Sequence, residues 1–207
     1  MSITTVNSDV DFTLPNSQTW TNFTFNGGRE GDFTVNDAVD ITLAGTTAIN
    51  ANTIWTNLAS LTLGSSASIN ANLKGCADIS SNSNGYGPNG SNICAQSTAG
   101  FGNGGPNSGN GGGGHGGVGG NGTNQNGGTT YDSETEPALY GSSGGSCNLP
   151  GEAGGTGGGL IRLDIDGTFA HNGSVSADGG NGGTNGTNRS GGGGSGDRDV
   201  SPADDHD

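Results

Sequence analysis

Ile41-Thr-Leu-Ala-Gly-Thr-Thr-Ala-Ile-Asn-Ala-Asn52 recurs as Leu61-Thr-Leu-Gly-Ser-Ser-Ala-Ser-Ile-Asn-Ala-Asn72, an offset of about 20 residues that falls in the range of stacked repeat units. Inside each copy, apolar residues alternate with small polar ones, as in Ile41 and Leu43 or Leu61 and Leu63, and period two predicts strands with one buried face. The same alternation runs back through Val39, Val35 and Phe33, Phe25 and Phe23, and Leu14, Phe12 and Val10. Turn signals separate the bursts: Asn26-Gly27-Gly28, Asn36-Asp37, Ala44-Gly45 and Gly64-Ser65. Trp20-Thr-Asn-Phe23 and Trp55-Thr-Asn-Leu58 form a second echo. Ile161-Arg-Leu-Asp-Ile-Asp-Gly-Thr-Phe-Ala-His-Asn-Gly-Ser-Val-Ser-Ala-Asp-Gly reads as a third version of the first repeat. Repeats of this length, rich in Asn, Thr, Ser and Ala, suit the rungs of a parallel β-helix, where each rung covers the apolar edge of the next.

Composition leads to the same class. Of 207 residues 46 are Gly, hydrophobic types make up 27% and aromatics 5%, about half the apolar share of an ordinary domain. A layered α/β core is hard to build from so little apolar surface. Strong helix formers are scarce, and Gly, Asn, Thr and Ser favour turns and strands. The formal charge is −14, from 5 Lys or Arg against 19 Asp or Glu. That balance argues against nucleic acid and anionic membranes as partners. No apolar run approaches the ~20 residues of a membrane span, and Met1 to Asn16 reads as mature chain without a leader.

The glycine-rich stretch 99–159 admits two readings, a flexible linker or an ordered structure. A triplet phase favours order: His115, Val118, Asn121 and Asn124 are spaced in threes, as are Asp178, Asn181 and Thr184. Period three belongs to the extended polyproline-II type of helix, and chains without side chains can approach closely enough to bond backbone to backbone. The expected organisation is therefore solenoid rungs over 1–75, a polar loop over 76–98, the glycine-rich triplet region over 99–159, further rungs over 160–178, and a glycine-rich segment with an acidic tail over 179–207. The tail from Asp197 to Asp207 has no strand alternation, so the last rung is expected to be incomplete.

Gly111-Gly-Gly-Gly-His115-Gly-Gly-Val-Gly-Gly, Tyr140-Gly-Ser-Ser-Gly-Gly, Gly157-Gly-Gly-Leu-Ile-Arg-Leu and Gly173-Ser-Val-Ser-Ala-Asp-Gly-Gly together resemble the glycine-rich β-helix repeat of large secreted surface proteins. The resemblance covers about residues 100–196. It implies an extracellular structural or adhesive role and carries no catalytic residues.

Three cysteines lack the paired spacing of a zinc site. Cys76 and Cys94 bracket a turn-rich segment and are expected to form a disulfide; Cys147 is free, pairs with another subunit, or takes one of the other two as partner. Among groups with chemical potential, His115 sits alone between glycines and reads as a packing or hydrogen-bonding residue. Asp164, Asp166 and Asp178 are weak calcium candidates, with a solvated face as the plainer reading. Five scattered basic residues and the absence of any Ser–His–Asp, HExxH or P-loop spacing argue against an enzyme, and no cofactor is expected. Six sequons are potential N-glycosylation sites, at Asn22, Asn89, Asn121, Asn172, Asn185 and Asn188.

The expected function is a structural subunit of an extracellular, glycosylated filament or surface matrix. Copies join head to tail, with the strand at Val10, Phe12 and Leu14 completing the last rung of a neighbour. A cell-surface adhesin or glycan-binding module is the alternative. An ice-binding solenoid ranks lowest, because Thr19-Trp-Thr21 is not repeated in register along the sequence.

Overall fold

The computed structural model of the protein describes residues 2–6, 9–29, 31–77, 83–89, 93–102, 104, 109–133, 136–147, 153–185, 188–194 and 197–202. These residues form strands and turns with no helix. In chain order the first strands are β1 (Ser2–Val6), β2 (Val10–Phe12), β3 (Gln18–Thr21), β4 (Thr24–Gly27), β5 (Asp32–Asn36), β6 (Asp40–Ala44), β7 (Ala48–Asn50), β8 (Asn52–Leu58), β9 (Ser60–Leu63) and β10 (Ser68–Asn70). After β11 (Tyr86–Pro88) and β12 (Cys94–Gln96) come β13 (Leu160–Ile165), β14 (Phe169–His171), β15 (Ser174–Ser176), β16 (Thr184–Asn185), β17 (Asn188–Arg189) and β18 (Asp197–Pro202).

The chain divides into two compact units. The first, residues 1–70, 161–176 and 198–207, holds three sheets of parallel strands, ordered β1-β4-β7-β10-β15, β18-β13-β8-β5-β2 and β14-β9-β6-β3. We call them sheets A, B and C. The chain visits them in the same cyclic order, B then C then A, on each pass. The alternating residues fall in register as the pleat requires. Phe12, Val35, Trp55 and Leu163 form one column; Trp20, Leu43, Leu63 and His171 another; Phe25, Ile49, Ile69 and Val175 a third. Outside, Asn50 Nδ2 donates to Asn26 Oδ1 at 2.9 Å between neighbouring strands of sheet A.

Register corrects two sequence readings. The 41–52 and 61–72 repeats do align, Ile41 beside Leu61 and Leu43 beside Leu63. The third version does not begin at Ile161, which pairs with Thr53 in sheet B; the residue beside Leu61 is Phe169. Any buried strand face reads as the same alternation, so alternation alone could not choose the sheet. The Trp echo is likewise no register repeat, since Trp20 lies beside Leu43 and Trp55 beside Val35. It marks a shared local corner, because Asn22 (φ 50°) and Asn57 (φ 61°) both turn the chain with left-handed backbone, which Asn tolerates better than most residues.

The tail differs from expectation too: Asp197–Pro202 is strand β18, added beside β13 at one edge of sheet B. Ladder bonds are made by backbone, so a strand can form without the side-chain alternation that the sequence reading looked for.

The second unit, residues 71–160 and 177–197, carries two short antiparallel pairs, β11 with β12 and β16 with β17, and is otherwise knitted by backbone hydrogen bonds between remote glycine-rich segments. Three consecutive amides, Gly112, Gly113 and Gly114, donate to three separate segments, at Gly120 O (2.9 Å), Gly192 O (2.8 Å) and Gly100 O (2.7 Å). Ser143, Gly144 and Gly145 do the same to Tyr86, Gly155 and Gly111. Cys76 and Cys94 are joined by a disulfide in this unit, with Cα atoms 5.4 Å apart, and Cys147 is a buried thiol whose Sγ accepts from Asn110 Nδ2 at 3.1 Å. With 18 residues of separation, loss of the bridge in a Cys76→Ser, Cys94→Ser variant is expected to cost about 3 kcal/mol through the freed unfolded chain. Chemical denaturation of the two proteins measures it.

Candidate functional site

Sheet C carries two inward columns. In one, Gln18 is followed by Ile41, Leu61 and Phe169; in the other, Trp20 is followed by Leu43, Leu63 and His171. The middle members are sealed, with Leu43, Leu61 and Leu63 at 0% exposure. Aromatic residues mark the ends. Trp20 and Phe169 are half-buried and His171 is exposed, the latter two rings stacked at 5.1 Å.

At the β2–β3 end the interior lies open. Phe12, Leu14, Trp20, Phe23 and Phe33 line a cavity of about 410 Å³, with Gln18, Thr19 and Thr21 adding polar groups. The Trp20 ring is held by Phe23 at 5.7 Å, Phe33 at 6.0 Å and Trp55 at 5.8 Å, and Phe12 meets Phe33 edge-on at 5.1 Å. Such a cluster is rigid, and each aromatic contact adds about 0.5–1.5 kcal/mol beyond its area. The expected assembly strand borders this cavity: Val10 and Phe12 pair with Phe33 and Val35 on one side of β2, whose other side is the edge of sheet B, and the buried Leu14 donates its amide to Asp37 Oδ2 at 2.7 Å. The sequence showed Trp20 only as an echo of Trp55; its place on the end strand of sheet C is what opens it.

A polar cluster occupies the second unit. His115 is 2% exposed; its Nε2 lies 3.1 Å from Leu139 O and 3.5 Å from Asp132 Oδ2, and its ring meets Tyr131 edge-on at 4.9 Å. Asp132 Oδ2 also accepts the amides of Ala138 (3.0 Å) and Leu139 (2.7 Å), while Oδ1 accepts that of Ser133 (2.9 Å). Burial, foremost, pushes the Tyr131 hydroxyl above the ordinary tyrosine range. The Asp132 carboxylate is thus the hub that ties the amides of Ser133, Ala138 and Leu139 to His115. Sequence reading named His115 but not Asp132, which lies far along the chain and carries no motif.

The other candidates are dispersed. Arg162 Nε lies 3.2 Å from both oxygens of Asp164, and Nη2 3.0 Å from Oδ2. Asp166 is exposed, and Asp178 donates its amide to Asn72 Oδ1 at 2.6 Å. Among the described residues no three His, Cys, Asp or Glu side chains gather as a metal site would require. Four sequon asparagines, Asn22, Asn89, Asn121 and Asn172, are exposed. Three of them anchor turns: Asn22 Oδ1 accepts from Thr46 N (3.0 Å), Asn89 Oδ1 from Ile93 N (3.1 Å) and Asn121 Oδ1 from Gly127 N (2.8 Å). The side chains of Asn185 and Asn188 lie outside the described residues. Thr19, Thr42 and Thr62 do stand in one outer column of sheet C, ending at Ala170. The sequence hid this column because successive passes differ in length, Ser17 reaching Asp40 over 23 residues and Asp40 reaching Ser60 over 20.

No family model matches the chain, nor does any curated protein or solved structure.

Proposed function

We propose that the chain is a non-catalytic structural module of an extracellular filament or surface matrix, in which the first unit is a right-sized stretch of parallel β-solenoid and the glycine-rich unit a bundle of extended, polyproline-II-like segments. Copies join head to tail through β-strand contacts. The observation that carries this reading is the open aromatic end: half-buried Trp20 and Phe23 and the side of β2 that no other described strand covers. Exposed apolar surface beside a free sheet edge is what further strand addition removes from water. An acidic, lysine-poor composition and a cysteine bridge fit an oxidising, extracellular compartment. The exposed sequons at Asn22, Asn89, Asn121 and Asn172 are the proposed glycan carriers.

Trp20→Asp puts a charge into the cavity and is expected to leave a species of 20.1 kDa in sedimentation, with unchanged strand signal in circular dichroism, where the parent protein polymerises. A variant that polymerises like the parent would remove the aromatic end as the joining surface. The second reading, a glycan-binding module, rests on the same cavity, since Trp20 with Gln18, Thr19 and Thr21 combines a ring face with hydroxyl and amide groups. A parent protein that stays monomeric and changes its tryptophan fluorescence on adding soluble oligosaccharides would favour it.

A further inference from the structure

In an extended helix with three residues per turn, successive amides point in three directions about 120° apart and successive carbonyls in three more, so one segment can bond six neighbours. Residues 111–115 use five of the six directions. The amides of Gly112, Gly113 and Gly114 go to Gly120, Gly192 and Gly100. Gly111 O accepts from Gly145 N (3.0 Å) and Gly114 O, one turn on, from Ser142 Oγ (2.7 Å) in the same neighbouring segment. Gly112 O accepts from Gly128 N (2.8 Å) and His115 O, again one turn on, from Tyr131 N (3.0 Å). The third carbonyl direction, that of Asn110 and Gly113, meets no hydrogen-bond donor among the described residues.

The neighbouring segments follow one another around this core. Gly191 N donates to Gly145 O, Gly102 N to Ser143 O and Gly119 N to Gly128 O, and Gly128 lies against Gly100 O. Among the described residues the ring opens between the segments of Gly120 and Gly192. A groove of about 330 Å³ lies there, bordered by Asn110, Gly112, Gly113, Gly120, Asn121 and Gly192. Along it Gly113 O and the amides of Gly120, Asn121 and Gly192 make no hydrogen bond to any described residue. Neither does the side-chain Oδ1 of Asn110, a residue only 5% exposed.

Glycine usage points the same way. A Cβ at Gly111, Gly113 or Gly114 would come within 1.8, 2.3 or 2.4 Å of a backbone oxygen, so the chain's own packing requires those three glycines. A Cβ at Gly112 would meet nothing nearer than Gly192 O at 3.3 Å and Gly120 N at 3.4 Å, on the two walls of the groove. Glycine at 112 keeps the groove open.

We infer that this groove binds an extended glycine-rich peptide segment of a partner protein, with a Gly-Gly-X repeat like the chain's own His115-Gly-Gly-Val118-Gly-Gly-Asn121. An amide of that segment donates to Gly113 O, and its carbonyls accept from Gly192 N and from the amide of Gly120 or Asn121, which completes the six directions. Two residues of each triplet face the walls and must lack a Cβ, while the third faces solvent. The contact lies within the glycine-rich unit and does not depend on head-to-tail joining.

The test adds a synthetic Gly-Gly-Asn-Gly-Gly-Asn-Gly-Gly-Asn peptide to the intact protein and follows the backbone amides by NMR and hydrogen exchange. The peptide is expected to shift the Gly120 and Gly192 resonances and to slow exchange at Gly192 about tenfold when about nine-tenths of the protein is occupied, since exchange then runs through the free fraction. The same peptide with alanine in place of glycine should leave both amides unchanged. Gly112→Ala should lose the response, and Gly116→Ala, whose Cβ meets nothing within 4 Å, should keep it. If Gly112→Ala does not fold, the parent protein's responses to the two peptides still decide. No shift at millimolar peptide, or equal responses to both peptides, would overturn the site. Changes at the same amides that follow protein concentration without peptide would make a second copy the occupant and overturn the assignment to a partner protein.

Discussion

Gly111→Ala is expected to unfold the glycine-rich unit. A Cβ at Gly111 would sit 1.8 Å from Asn126 O and 2.4 Å from the Asn126 carbonyl carbon. Backbone cannot retreat as a side-chain tip can, and here it is itself engaged, since Gly111 O accepts the Gly145 amide at 3.0 Å. Relief means separating segments held in large part by backbone hydrogen bonds, so the cost is placed above about 4 kcal/mol, in the range reserved for severe core lesions. Gly116→Ala and Gly117→Ala are the controls. Nothing lies within 4 Å of a Cβ at either position and neither has a positive φ, so each should change stability by no more than about 1 kcal/mol, with a gain from a stiffer unfolded chain. Denaturant titration of the three variants decides it. Equal losses at positions 111 and 116 would mean that close backbone approach does not hold this unit together.

Trp55→Ala carries the second large effect. Trp55 is fully buried, contacts Trp20 and Phe33 at 5.8 and 5.5 Å, and stands in the column between Val35 and Leu163. Removing it should cost about 3–5 kcal/mol. Its Nε1 has no hydrogen-bond partner among the described residues, and a buried unsatisfied donor is itself destabilising by about 1–3 kcal/mol. Trp55→Phe gives up part of the ring but also that stranded donor, so it should lose far less than the alanine variant. Thermal unfolding monitored by circular dichroism compares them; near-equal losses would show that the indole nitrogen carries no penalty.

The strands of the first unit could be read from Phe33 and Val35, Ile41 and Leu43, Leu61 and Leu63, because a sheet with one buried face writes its pleat into the sequence. What could not be read was which sheet a strand joins. Ile161 and Phe169 both open apolar alternations, yet they sit in sheets B and C, and only the unequal lengths of successive passes decide between them. β18 escaped for a different reason: an edge strand is specified by its neighbour's free amides and carbonyls, and these belong to β13. The triplet phase around His115, Val118 and Asn121 pointed to order, and the amides of Gly112, Gly113 and Gly114 do turn to three different partners. The partners themselves, Gly120, Gly192 and Gly100, carry no signal that selects one glycine over another. In the same way the aromatic cavity was invisible, because Trp20 and Trp55 open the same Trp-Thr-Asn triplet and the neighbours that leave one open and the other sealed come from elsewhere in the fold.

The cyclic strand order also sets a timetable. β2 to β10 follow one another without interruption, so a ribosome delivers three complete passes whose strands pair over about 20 residues each, and these can dock as they emerge. The fourth pass must wait: β13 returns to β8 only after residues 71–159 have been made, and although closure entropy grows only slowly with loop length, so distant a pairing forms late. Between those moments β8, β9 and β10 form a nascent edge with no strand of their own chain to cover it. A slow ribosome or a stalled chain would lengthen the exposure, and the chaperone dependence of this protein should therefore track the synthesis of its glycine-rich insert rather than that of its strands.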